Sequence, residues 1–260
     1  MSEFIQDVRR PARRRAFEVD VLRGICIWLT ICHHFMYDVR YIFNYDACRF
    51  FESRFFQGVV HPLLLIGLFI ASGLSINFSK NNFKRAKKLA LIALGLTSFS
   101  VIFSVASGGQ YYIIWQILHS LATCIALAAF VKFKVKSIKI QQLIYLALTL
   151  TMTFVLPVFI RYYHLDQLAP SWLLPLGMGY RRPEIPIMLD YIPLIPLGGF
   201  FFLGAALAHV FYPEGKVERR FFQSNFWLPL RFTGEYSLYF YAIHQPILIF
   251  LIWLYGKIAL

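Results

Sequence analysis

The sequence predicts an all-α, polytopic transmembrane helical bundle of about seven spans with a cytoplasmic N-terminus. Three observations carry the prediction. Apolar residues make up 58% of the 260 positions, against roughly 45–50% in ordinary globular chains. Mean hydropathy is +0.59. Long apolar stretches also recur with basic clusters on alternate connections.

Taken in order, the apolar stretches run about 19–39, 56–78, 88–107, 113–131, 140–160, 190–211 and 233–256, each near the roughly 20 residues that cross a hydrocarbon core. Broken helices within spans two to four would raise the count, and the proline-rich stretch 170–196 has room for a short re-entrant piece. Arg9, Arg10, Arg13, Arg14 and Arg15 precede span one, and Lys80, Lys84, Arg85, Lys87 and Lys88 follow span two. Lys132, Lys134, Lys136 and Lys139 follow span four; Lys216, Arg219, Arg220 and Arg231 follow span six. With seven spans all these fall on one side, which the positive-inside rule makes cytoplasmic. The other side carries Arg40, Arg49, Arg54, Arg161, Arg181, Arg182 and Lys257. The net charge of +13 is therefore a topology signal, and nucleic acid is not an expected partner.

Span one is too long for a signal-peptide core, contains Asp20 and Arg23, and lacks a small-residue cleavage site, so it reads as a retained helix. Residues 1–15 read as a disordered basic segment and 16–260 as a single transmembrane domain. Cys26, Cys32, Cys48 and Cys124 show neither metal spacing nor a disulfide framework; no metal site is expected.

The most informative span is the first. Ionisable side chains are costly in a bilayer and mark functional sites by default. Arg23 and His34 are eleven residues apart, which at about 100° per residue returns to within roughly 20° of one face. Arg23, Ile27, Thr30, His34 and Asp38 form one stripe, with Arg23 and His34 separated by roughly 16 Å at about 1.5 Å rise per residue. Asp38, at i+4, is placed to accept an imidazole N–H from His34 and support it as a base. His33 points about 100° away and reads as a packed interfacial side chain.

His61 opens span two and precedes Pro62, so an interfacial cap competes with a catalytic role. His119 shares a face with Gln116 in span four, His164 lies in the longest outer loop, Asp190 opens span six, and His244 precedes Gln245 and Pro246 in span seven. A proline there frees a carbonyl that neighbouring polar groups must satisfy, so His244 also has a structural reading. His209 sits at the inner end of span six. The others concentrate in the outer half, so a site opens outward.

The segment Phe17-Glu18-Val19-Asp20-Val21-Leu22-Arg23-Gly24-Ile25, followed by His33-His34-Phe35-Met36-Tyr37-Asp38, resembles the opening of the heparan-alpha-glucosaminide N-acetyltransferase catalytic-domain family. The similarity continues through Phe69-Ile70-Ala71-Ser72-Gly73-Leu74-Ser75, Ile117-Leu118-His119 and Asp190-Tyr191-Ile192-Pro193-Leu194-Ile195-Pro196. It ends with Gly234-Glu235-Tyr236-Ser237-Leu238-Tyr239 and Ile243-His244-Gln245-Pro246-Ile247-Leu248. The Arg-to-His spacing is also similar to the broader acyltransferase-3 group.

The resemblance implies an acyltransferase that moves an acetyl group from cytoplasmic acyl-CoA to an amine or hydroxyl of an extracytoplasmic sugar or envelope glycan. Acetyl-CoA would be the co-substrate, held by Arg23 with Asp20. His34, Asp38 and His61 are the catalytic candidates, with the base open between His34, favoured by the arginine spacing, and His61. His119, Asp190, His244 and Gln245 are the acceptor-binding candidates. Direct transfer and an acyl-histidine route both remain open. The expected setting is a bacterial-type inner (plasma) membrane, with lipid, the acyl-CoA donor, the glycan acceptor and a second copy of the chain as partners. Two other classes compete: a proton-coupled small-solute transporter, which would show paired broken helices in related halves, and a non-catalytic scaffold subunit, which would need no polar stripe. Spans one, two, four, six and seven are expected to line the site, and three and five to face lipid.

Overall fold

The computed structural model describes residues 16–108, 112–183, 185, 188, 190–215, 222 and 224–259. The basic segment 1–15, with Lys216, Arg219 and Arg220, lies outside the described residues. Helices dominate and no strand occurs among the described residues; an isolated bridge pairs Tyr112 with Met188. Among the described residues six helical stretches are long and apolar enough to cross a membrane: Phe17–Ile42, Phe56–Asn77, Asn82–Ala106, Ile117–Lys134, Ile138–Tyr162 and Ser237–Ile258. The protein is an all-α, multi-pass integral membrane protein.

The stretch predicted as span 190–211 is helical only over Leu197–Phe211, 15 residues, or about 22 Å at 1.5 Å per residue. Pro193 and Pro196 explain the shortening, because each removes an N–H donor and biases the residue before it away from helical geometry. Asp190 consequently stands in a turn with φ of 55° instead of opening the helix. Within 170–196 the chain forms a 3-10 helix at Ser171–Leu176.

The first helix, α1 (Phe17–Tyr37), has Glu18 and Asp20 in its opening turn, where carboxylates complement the helix dipole. It passes into a π turn at Asp38–Ile42. A second π turn, Phe56–Val60, leads into α2 (His61–Leu74). Helix α3 (Asn82–Ser107) is capped by Asn81, whose side chain accepts from the Lys84 N–H at 2.9 Å, and stops at Gly108 with φ of 64°, the left-handed geometry glycine supplies. Helix α4 is Ile117–Lys134 and α5 is Ile138–Leu150. The π turn Thr151–Val155 joins α5 to α6 (Leu156–Tyr162) just before Pro157, whose missing N–H breaks the regular ladder. There follow α7 (Leu165–Leu168), α8 (Leu197–Phe211), α9 (Leu228–Glu235) and α10 (Ser237–Ala259).

The chain forms two compact units, Met1–Ala71 with Lys216–Leu260, and Ser72–Gly215; the division falls inside α2. In the first unit α1 and α9 meet backbone to backbone. A Cβ on Gly24 would strike the Leu230 carbonyl oxygen, and one on Gly234 would strike that of Asp20. Small residues of this kind let membrane helices approach closely. In the second unit Tyr145, Phe201, Phe202 and Ile125 are fully buried. Gly73 abuts the Phe201 carbonyl, and the Asn77 amide donates to the carbonyls of Ala208 at 3.0 Å and Tyr212 at 3.2 Å. Lys132 Nζ donates to Asn77 Oδ1 at 3.0 Å, and His209 Nδ1 lies 3.4 Å from the Asn77 amide nitrogen while its Nε2 is buried without a hydrogen-bond partner among the described residues.

Burial revises the division of labour among spans. The stretches 82–106 and 138–162 are 22% buried over their most apolar window, as befits lipid-facing helices, but the last span is less buried still, at 11%. It presents a narrow strip that includes Tyr241, His244 and Ile252 and leaves the rest outward.

The loop after α1 is tied by charge. Arg40 donates to Asp46 at 2.8 Å and to Glu52 at 2.9 Å, and Arg49 pairs with Asp46. Arg49 and Arg40 hold the Asp46 carboxyl below its ordinary range, and Arg40 and Tyr41 do the same for Glu52. Carboxyls depressed in the folded state contribute stability above their unfolded values of about 4 and lose it as pH falls through the depressed values. Amide protection over 43–55 is therefore expected to be constant between about pH 5 and 8 and to fall only below about pH 4, as read by hydrogen exchange corrected for intrinsic rates.

Candidate functional site

The first unit gathers the stripe of α1 against α9 and α10. Ile27, Thr30 and Asp38 are buried, and Arg23 is largely covered, with 18% of its side chain exposed. Arg23 Nη1 donates to Asp20 Oδ1 at 3.2 Å and to the Gly234 carbonyl at 3.0 Å. The close glycine crossing of α1 and α9 makes that second contact available. One nitrogen fixed at two points orients the whole fork of a group that carries five N–H donors. Nearby, Trp28 Nε1 donates to Thr233 Oγ1 at 3.2 Å, a further tie between the two helices.

One turn beyond Thr30, four imidazoles form a chain across three helices. His61 of α2 stacks on His33 with centroids 4.2 Å apart and planes 19° apart. His33 meets His34 edge-on at 5.4 Å, and His34 faces His244 of α10 at 5.0 Å. His244 Nδ1 lies 2.7 Å from the Tyr241 carbonyl. A carbonyl only accepts, so Nδ1 carries the proton and Nε2 is the basic nitrogen of neutral His244. His34 is half-buried and makes no hydrogen bond among the described residues. His33 Nδ1 is buried without a hydrogen-bond partner.

The i+4 pairing expected between His34 and Asp38 does not form. Asp38 is 0% exposed, and both its oxygens accept from Gln245 Nε2, at 2.8 and 3.0 Å. The reason is geometric: α10 brings an amide donor into contact with the carboxylate, whereas the His34 ring turns toward His244. Asp38 and Gln245 thus pin α1 to α10 directly below Pro246. A hydrogen bond to a charged group is worth about 1.5–3 kcal/mol, so Gln245→Leu, which strands the carboxylate, is expected to lower stability by about 2 kcal/mol or more. Asp38→Asn should cost less, and the double variant should show strong non-additivity in thermal unfolding.

His119 and Asp190 belong to the second unit. His119 is committed locally: its Nδ1 accepts from the Gln116 N–H at 3.4 Å, closing a capping box at the start of α4, and its ring stacks on Trp115 at 5.0 Å. His33 is the member of the imidazole chain that sequence reasoning assigned to packing. The available signal was the His33-His34 doublet, since adjacent residues about 100° apart can serve two neighbouring helices at once. Among the described residues no cluster of three or more His, Cys, Asp or Glu side chains has metal-holding geometry.

Four imidazoles, one of them on the helix face of an anchored guanidinium, gathered inside a multi-pass membrane protein mark this region as the candidate site. The chain matches the family model described as heparan-alpha-glucosaminide N-acetyltransferase, catalytic, over residues 15–246, and it belongs to that family. It is a membrane protein of an acetyltransferase family. No curated protein and no solved structure matches it.

Proposed function

We propose that the protein transfers an acetyl group from cytoplasmic acetyl-CoA to an amine or hydroxyl of an extracytoplasmic sugar or envelope glycan, in a bacterial-type inner membrane. The observation that carries this reading is His34: its ring has no hydrogen-bond partner among the described residues, stands between two other imidazoles, and shares a helix face with Arg23. Family membership supplies the reaction class.

On this reading Arg23, oriented by Asp20 and the Gly234 carbonyl, receives a phosphate of the donor through charge-assisted hydrogen bonds. The pantetheine arm presents the thioester at His34. His34 removes the proton from the attacking amine or hydroxyl as the new C–N or C–O bond forms. The C–S bond then breaks and the thiolate of CoA leaves, protonated from the imidazolium. His244, with its proton fixed on Nδ1, offers the adjacent basic nitrogen. Asp38 acts through Gln245 by holding α10 in register and is a positioning residue in this scheme. His61 acts through His33, against which it stacks.

The test is transfer of radiolabel from acetyl-CoA to membrane glycans in proteoliposomes carrying the full chain. Label should pass to acceptor with wild type and not with His34→Ala. Uptake of a solute that survives His34→Ala, without acetyl transfer by wild type, would favour the transporter class instead.

A further inference from the structure

The second unit contains a cavity of about 690 Å³ that the reaction above does not use, a size within the range of roughly 300–1,000 Å³ typical of small-molecule sites. Three segments build it: the end of α6 with α7, the turn around Gly177 to Arg181, and the stretch Tyr191 to Pro196. The walls are tied to one another. The Gly179 N–H donates to the Leu165 carbonyl at 2.9 Å, and that of Arg181 to the Asp166 carbonyl at 3.0 Å. The Leu194 N–H donates to the Pro175 carbonyl at 2.9 Å, and Tyr191 Oη to the Leu174 carbonyl at 2.6 Å. Gly177 and Gly179 have φ of 86° and 67°, and a Cβ on Gly179 would press on the Ala169 carbonyl, so the turn is specified by its glycines.

The lining is charged and aromatic. Arg161, Arg181, His164 and Asp166 share it with Tyr180 and Tyr191. Arg181 pairs with Asp166 at 3.3 Å and lies over the Tyr180 ring at 5.5 Å. Arg161 has no ion-pair partner among the described residues, so the described lining, with two arginines to one aspartate, carries a surplus positive charge. The two tyrosine rings are 5.5 Å apart and inclined by 35°, giving a broad aromatic wall. Arg161 also stands near the far end of the Ile138–Tyr162 stretch from Lys139, away from the basic cluster Lys132 to Lys139 and outside what a positive-inside bias explains.

We propose that this cavity binds an anionic sugar, its acidic group paired with Arg161 and its ring lying against Tyr180 and Tyr191. Guanidinium suits a carboxylate or phosphate bidentately, a flat aromatic wall suits the apolar face of a pyranose, and walls tied by backbone hydrogen bonds lower the ordering cost of binding. The proposal concerns binding and is independent of the acyl-transfer reading. The same chemistry is offered by a soluble sugar acid, a sugar phosphate or the headgroup of an acidic glycolipid.

The experiment titrates the full chain, without acyl donor, with glucuronate, glucose 6-phosphate, glucose and inorganic phosphate in detergent, and with nanodiscs containing glucuronosyl diacylglycerol or phosphatidylglycerol. At least one anionic sugar should bind about tenfold or more tighter than glucose and than phosphate. Arg161→Gln should weaken it about 10- to 100-fold, Arg161→Lys less, and Tyr180→Ala should erase the advantage over phosphate. Preference for the glycolipid over both the soluble sugars and phosphatidylglycerol identifies a headgroup, and preference for a soluble sugar identifies a free ligand. The proposal is overturned if no anionic sugar or glycolipid binds a folded wild type, if glucose, phosphate or phosphatidylglycerol binds equally well, or if Arg161→Gln changes nothing. Arg161 stands at an exposed helix end, so its variants keep the fold.

Discussion

His34→Ala is expected to reduce acetyl transfer by about 10²- to 10⁴-fold, the usual contribution of a general base, while acetyl-CoA binding is retained. The separation of the two effects is the informative part. The reacting end of the donor and its phosphate end are assigned to positions roughly 16 Å apart on α1 at about 1.5 Å per residue, so a change at His34 touches only the former. His33→Ala and His61→Ala should have smaller effects, because they reach the reaction through His34 or through packing: His61 stacks on His33, and His33 Nδ1 is buried. If His61→Ala matches His34→Ala in full, the base is misassigned. A single-turnover assay at saturating donor reads the chemical step without the binding step.

Gly234→Ala is the second large effect, and it tests the scaffold instead of the chemistry. The added methyl would strike the Asp20 carbonyl oxygen, a backbone atom that cannot rotate aside. The helices must separate, which breaks the Trp28 to Thr233 hydrogen bond and the Arg23 contact with the Gly234 carbonyl. Overpacking costs about 1–3 kcal/mol and a lost hydrogen bond to a charged group about 1.5–3, so a loss of about 3 kcal/mol or more is expected, seen as a lower unfolding temperature in detergent. Gly95→Ala supplies the contrast. Nothing lies within 4 Å of a Cβ there, and in a helix interior alanine is favoured over glycine by about 0.5–1 kcal/mol, so that variant should be slightly more stable.

These two expectations also mark what the sequence made legible. The face shared by Arg23 and His34 followed from spacing alone, since helical periodicity is local. The crossing of α1 with α9 did not, because nothing in the residues around 228–235 announces which helix they meet. The Asp38 to Gln245 bond was hidden for the same reason: the two residues are 207 positions apart, and the local i+4 rule favoured His34 as the partner. Proline content foretold an irregular stretch before Leu197, yet hydropathy alone extended the span through it to 190. His119 illustrates the opposite case. Its spacing from Gln116 was visible, and the structure uses that spacing to cap α4.

The central claim is that this membrane protein takes acetyl-CoA at Arg23 and uses it at His34. The most direct measurement is an isothermal titration of acetyl-CoA into the purified chain and into its Arg23→Ala and His34→Ala variants. The account predicts binding by wild type, a loss of about 10- to 100-fold with Arg23→Ala, as befits a charge-assisted contact, and unchanged binding with His34→Ala. Absence of binding by a folded wild type, or full binding by Arg23→Ala, would contradict it.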